Sequence, residues 1–276
     1  MLKLYLTYRP SISINKGYIG KKFLKKAMRH VLSNPISNIQ MEFAVLRVPF
    51  FLEPHYDESK PFIESNRDRL IKKWGGKKGW EQQKNRHDLK GRGEAAGIPH
   101  FNLDRLASNS MASHRLIQHV GKRYGLDISE ALYDRLNVYY FVEGHALNDK
   151  PRLASVAAES ISQSLAKNNN NTSPALMSEK EILEFLNGNE GRLEIENALR
   201  ALNQLGVRGI PKFIVEGSTV IDGAAGPDTF VRIFREIEQR GKVEGTAIFK
   251  DILGVDEETL SRGSYSRESL LMEDAS

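Results

Sequence analysis

The sequence predicts a mixed α/β protein in which a short sheet is interrupted by a long helical block. Three observations carry this. Residues 2–8 alternate as a strand does, and a second strand pattern covers residues 40–48 after an intervening helix. From about Ser59 to Glu190 the periodicity is helical and no strand pattern stands out. After that block, two short strand patterns, 212–216 and 219–221, are followed by another helix.

In residues 2–8, Leu2, Leu4 and Leu6 fall on one face. Pro10 to Gly17 form a polar, breaker-rich loop. From about Tyr18 to Leu32, Ile19, Phe23, Leu24, Ala27 and Val31 share one helical face, while Lys21, Lys22, Lys25, Lys26 and Arg29 occupy the other. The lysine stripe is expected to be that helix's solvated side. A strand, a helix and a strand at this spacing predict a parallel, right-handed βαβ unit.

Helical patterns in the middle cover 64–74, 108–124, 129–142, 151–166 and 178–187. Asn109 or Ser110 suits the start of the second, and Ser178 with Glu181 makes a capping-box pattern for the last. Residues 168–174, rich in asparagine, predict an exposed loop. A helix follows Asn189 and runs to Leu205. Gly217-Ser218 then suits a hairpin turn, and Pro227 suits the first turn of a helix reaching about Arg240. The expected domains are 1–58 with 190–243 as one discontinuous unit, 59–189 as a helical insertion, and 244–276 as an acidic C-terminal tail.

The chain has 276 residues, a net charge of +5, and no cysteine. Disulfides and thiolate metal sites are thereby excluded. No apolar run is long enough for a bilayer, and the N-terminus lacks the build of a signal peptide, so a cytoplasmic location is expected. Charge is uneven. Residues 67–92 hold ten basic residues against three acidic, whereas 244–276 hold three against eight. Lys72 to Trp80 interleaves lysine with tryptophan, as a nucleic-acid patch would. Without accompanying pairing, stacking or groove-reading motifs, it is read as a glycine-punctuated solvated loop near a pocket, and nucleic acid is not the expected partner. His114 and His119 are five apart, which does not suit joint metal ligation on one helical face, and no metal site is expected.

Several separated segments carry a resemblance. Gly17-Tyr18-Ile19-Gly20-Lys21-Lys22-Phe23-Leu24 looks like a helix start that elsewhere follows Cys-Pro-Trp-Cys. Pro49-Phe50-Phe51-Leu52-Glu53-Pro54, residues 109–117 with His114-Arg115, and Tyr140 to Gly144 match further stretches. Val207-Arg208-Gly209-Ile210-Pro211 and Gly223-Ala224-Ala225-Gly226-Pro227 complete the set. Together they resemble the DsbA-like branch of the thioredoxin superfamily, in its FrnE-type form, related to 2-hydroxychromene-2-carboxylate isomerases and kappa-class glutathione transferases. The resemblance implies a thioredoxin-like fold, βαβ…αββα, with a large all-helical insertion domain.

It also implies a site, and there the chain departs from the pattern. The positions of the redox cysteines are Ile14 and Gly17, so dithiol oxidoreductase chemistry is lost. Ser11 and Ser13 are the nearby hydroxyls that could steady a thiolate at a helix start, although a turn or cap role is the ordinary one. His114 is the acid/base candidate, against the ordinary role of a structural histidine. By resemblance, Ile210 and Pro211 would present backbone to glutathione, with the Ile210–Pro211 bond expected to be cis. Gly223, Ala224 and Asp228 would surround the γ-glutamyl carboxylate.

Three functions stay open. One is a glutathione-dependent isomerase or transferase-like enzyme acting on a conjugated or anionic small molecule. The second is a tailoring enzyme of secondary metabolism, on polyketide-like molecules, without glutathione. The alternative to both is a non-catalytic thioredoxin-fold binding protein. Related proteins commonly form homodimers.

Overall fold

The computed structural model describes residues 2–9, 15–49, 51, 56–59, 64–168, 174–204, 206, 211–222, 225–265, 268 and 270. Strand β1 (Leu2–Arg9), helix α1 (Asn15–Ser33) and strand β2 (Met41–Arg47) form the βαβ unit, with Leu2 opposite Met41 and Leu6 opposite Val45 in parallel register. Strands β3 (Lys212–Val215) and β4 (Thr219–Asp222) add an antiparallel hairpin beside β1, giving the order β2-β1-β3-β4. Helix α1 starts about three residues before the periodicity suggests. The first-turn Gly17 does not break it and is itself buried.

The hairpin turn lies one residue earlier than expected. Glu216 and Gly217 carry positive φ, and the Ser218 N–H closes on Val215 O at 3.2 Å. Positive φ at both central residues suits the right-handed twist of the flanking strands.

Between β2 and β3 lie α2 (Asn66–Lys73), α3 (Lys77–His87), α4 (Leu89–Ala95), α5 (Met111–Tyr124), α6 (Leu126–Phe141), α7 (Lys150–Asn168), α8 (Glu179–Asn187) and α9 (Arg192–Gln204). The expected capping box at Ser178 and Glu181 is present. At α5 the Asn109 Oδ1 accepts from the Met111 N–H at 2.8 Å, while the cap residue Ser110 makes no side-chain cap bond.

Lys72 to Trp80 is not a loop. Gly75 and Gly76 turn the chain with φ of 71° and 105°, conformations only glycine takes readily, and α3 starts at once with Trp80 buried. The two glycines masked the helical period of a short, polar segment. Trp74 remains partly exposed, so the two tryptophans do not form the paired stacking surface that a nucleic-acid patch would use.

The sheet is covered on both faces. Leu2, Leu4, Leu6, Phe43, Val45, Phe213 and Val215 pack on α1 and on α10 (Pro227–Arg240), which begins at the expected proline. The other face, with Ala44, Leu46 and Val48, packs on Ala198 and Leu202 of α9 and on Ala247, Phe249, Leu253, Val255 and Leu260. The last five belong to the segment expected as an acidic tail. That segment includes α11 (Glu257–Arg262), and these five apolar residues fill a core while its described acids are exposed. Beyond α11 it lies along edge strand β2: Tyr265 N–H donates to Phe43 O at 3.0 Å, and Phe43 N–H to Tyr265 O at 3.2 Å. An open strand edge is thus occupied.

Candidate functional site

Of the sequence-derived site residues, Ser11, Ser13, Ile210, Gly223 and Ala224 lie outside the described residues, as does the Ile14 position. Pro211 is described and buried. A β-carbon added at Gly20 would stand 3.1 Å from Pro211 Cγ, so the first turns of α1 run directly against this proline. The absence of a side chain at Gly20 permits that approach. Asp228 is exposed in the first turn of α10, where a carboxylate complements the helix dipole.

His114 is buried on α5 and meets Phe51 edge-to-face, with ring centroids 5.1 Å apart. Phe51, Met111 and Ile195 form one apolar cluster at this place. The position is that of a packed core histidine. Its neighbour Arg115 donates to Glu190 O at 2.6 Å and Phe185 O at 3.0 Å, with its guanidinium over the Phe185 ring. Arg115 therefore ties α5 to the turn between α8 and α9. A cavity of about 70 Å³ beside it, lined by Glu58, Asn109, Asn148 and Arg192 among others, has room for a few waters and not for a substrate.

The chemistry at the start of α1 comes from residues that the sequence reading passed over. Lys16 Nζ lies 3.4 Å from His87 Nδ1 at the end of α3. Burial, with Arg92 of α4 adding repulsion, lowers the Lys16 ammonium from its ordinary value. Burial also lowers His87, assisted by the charges of Lys16, Arg86 and Arg92. Lys16, His87 and Arg92 are all half-buried. Like charges held together beside a helix N-terminus favour an anion and neutral forms of the bases. The signal in the sequence was available but indirect: Lys16 lies near the end of the polar stretch 10–17, and His87 and Arg92 close the basic segment.

Trp80 and Lys84 precede His87 by seven and three residues and share its side of α3. They line a cleft of about 510 Å³ with Leu89, Ile98, Phe101 and His100. Lys84, Asp88, Lys90 and Glu94 add charge to a lining that is otherwise largely apolar.

The lysine stripe of α1 is not simply solvated. Lys21 is buried, with Nζ 2.7 Å from Asp134 Oδ1 and 3.0 Å from Glu130 Oε2 on α6. Lys25 is 3.4 Å from Asp134, and Arg47 at the end of β2 is 2.5 Å from Glu130. This network joins the sheet unit to the helical block as an anchor for α1, with Lys21, Arg47 and Glu130 buried and Asp134 at its partly exposed margin.

Among the described residues no group of histidines and acids could hold a metal ion. No helix among them is long and apolar enough to cross a membrane.

No protein-family model matches the sequence. No curated protein matches it either. Solved structures do. A probable DsbA oxidoreductase from Streptomyces coelicolor superposes with a TM-score of 0.68 and 20% identity, over 89% of this chain and 94% of that one. A candidate protein disulfide isomerase from Nitrosomonas europaea gives 0.57 and 13%, over 86% and 98%. A 2-hydroxychromene-2-carboxylate isomerase gives 0.50 and 14%, over 86% and 94%. Likeness at such identities concerns architecture, and the architecture is definite: this chain has the thioredoxin-like fold with the large helical insertion of DsbA-like proteins, built without a single cysteine.

Proposed function

We propose that the protein binds an anionic, conjugated small molecule at the start of α1 and acts on it as an isomerase or transferase-like enzyme. The supporting observation is the Lys16–His87 contact at 3.4 Å, with Arg92 beside it, on a helix start packed against Pro211. Arg92 and the helix amides would receive a carboxylate, while the apolar cleft lined by Trp80, Leu89 and Phe101 would take the conjugated body. The 2-hydroxychromene-2-carboxylate isomerase, whose fold this chain shares, is named for a substrate with both features. With no cysteine in the chain, dithiol exchange is not the reaction.

Glutathione would supply sulfur from outside, pairing with the backbone next to Pro211 as an added strand. The test is titration of the intact protein with cinnamate and, separately, with glutathione, followed by thermal shift and by tryptophan fluorescence. A saturable response to cinnamate, lost in Arg92→Gln, is the expected result. No response to cinnamate at millimolar concentration sinks the reading. No response to glutathione removes the thiol cofactor from it.

A further inference from the structure

The proposed site contains a candidate nucleophile, the amine of Lys16. We propose that Lys16 is a reactive amine that condenses with aldehyde or ketone substrates to form a Schiff base, with His87 as its proton-transfer partner. The inference rests on the preceding reading of where the site lies, and adds to it the class of reaction and of reacting group.

Geometry supports this first. Lys16 lies in the first turn of α1, one residue before Gly17. Its Nζ is half-buried and lies 3.4 Å from an imidazole nitrogen. The charges acting on the pair are cationic: Arg92 on Lys16, and Lys16, Arg86 and Arg92 on His87. The positive end of α1 acts in the same direction. A lysine desolvated beside other cations holds more neutral amine near neutral pH than a surface lysine does, and neutral amine is the nucleophile.

The step balances without redox chemistry. The Lys16 lone pair forms a bond to the carbonyl carbon as the C=O π pair moves onto oxygen; neutral His87 takes a proton from the attacking nitrogen and passes it to that oxygen, giving the carbinolamine. The nitrogen lone pair then forms the C=N bond as the C–O bond breaks, and His87 carries the remaining N–H proton to the departing hydroxide, which leaves as water. Amine plus carbonyl gives imine plus water. If the carbonyl is conjugated to an alkene, protonated imine draws electron density from the C=C bond and lowers its barrier to rotation. That is the effect which transient thiol addition would otherwise supply.

The probe is 2-carboxybenzaldehyde, an aromatic aldehyde carrying a carboxylate, incubated with the full chain and reduced with borohydride before peptide mapping. Hydride adds to the imine carbon and fixes a secondary amine on the reacting lysine. The expected result is a dominant adduct on Lys16, absent in Lys16→Arg. His87→Gln should slow trapping about a hundredfold. The trapping rate should also rise with pH at lower pH than for a surface lysine. If cinnamate binds and Lys16 is labelled no more than other lysines, the Schiff-base inference is overturned while the site reading stands. If neither compound binds, both fail.

Discussion

Arg47 on β2 and Glu130 on α6 face each other at 2.5 Å in the interior, both about 5% exposed or less. Each is bound further. Arg47 Nη2 donates to Ser129 O and Oγ at 3.2 and 3.0 Å, and Gln118 Nε2 donates to Arg47 O at 2.8 Å. The Glu130 carboxylate also receives Lys21 and, at 2.6 Å, the Tyr265 hydroxyl. One carboxylate thus joins α1, β2, α6 and the C-terminal segment. The arrangement makes the helical insertion continuous with the sheet and holds α1 in the orientation that presents Lys16.

Removing one member of such a network leaves the others charged and buried. Glu130→Gln is expected to cost about 3–5 kcal/mol, measured by urea unfolding. Tyr265→Phe, which removes a hydrogen bond to a charged group, should cost about 1.5–3 kcal/mol. A Glu130→Gln protein as stable as the parent would mean that the network is not closed in solution.

Acid should weaken the same junction. Burial opposes ionisation of Asp134, but the ammonium groups of Lys21 and Lys25 outweigh it and hold the carboxyl well below its ordinary 3.8. A carboxyl depressed in the folded state contributes stability that is complete above its unfolded value and disappears as pH falls through the folded one. Unfolding free energy is therefore expected to decline below about pH 4, and the decline should be shallower in Asp134→Asn, which has no proton to take up. Identical acid limbs for the two proteins would refute the assignment.

Much of the fold was legible because period and punctuation agreed. Leu2, Leu4 and Leu6 alternate, Ser178 and Glu181 form the box they suggest, and Pro227 starts its helix. Where they disagreed, the reading failed. Gly75 and Gly76 concealed α3, and the eight acids after residue 243 concealed a segment whose five apolar residues fill one face of the sheet. Lys21 could not be separated from its exposed neighbours, because its partners lie about 110 residues away on α6. The site followed the same rule: Lys16 and His87 meet across 71 residues, and a pairing of that kind leaves no local pattern.

The C-terminal segment should prove structural. A β-carbon at Gly245 would stand 1.7 Å from Glu216 O, a backbone atom that cannot swing aside. Nearby, Glu216 Oε1 accepts from the Glu244 N–H at 2.9 Å and pairs with Arg240, fixing the exit from α10 against the hairpin turn. Gly245→Ala is expected to cost about 3 kcal/mol by overpacking. Deletion from residue 244 onward should do more, exposing Ala44, Leu46 and Val48 and removing the cover of the β2 edge, and so give an aggregating product. A soluble, cooperatively unfolding truncation would show that the segment is dispensable.

His114 gives the sharpest separation between packing and chemistry. It is buried against Phe51, beside Met111 and Ile195, and its ring helps to fill the seam between α5 and α9. His114→Ala should therefore open a cavity and cost about 3 kcal/mol, with a lower melting temperature. Cinnamate affinity of the fraction still folded should match the parent, because the proposed anion site at Lys16, His87 and Arg92 is built from other elements. A role in proton transfer predicts the reverse: near-parental stability, intact binding, and loss of turnover. Measuring melting temperature and cinnamate affinity on the same preparation decides between the two, and an affinity that collapses without a fall in stability would place His114 back among the site residues.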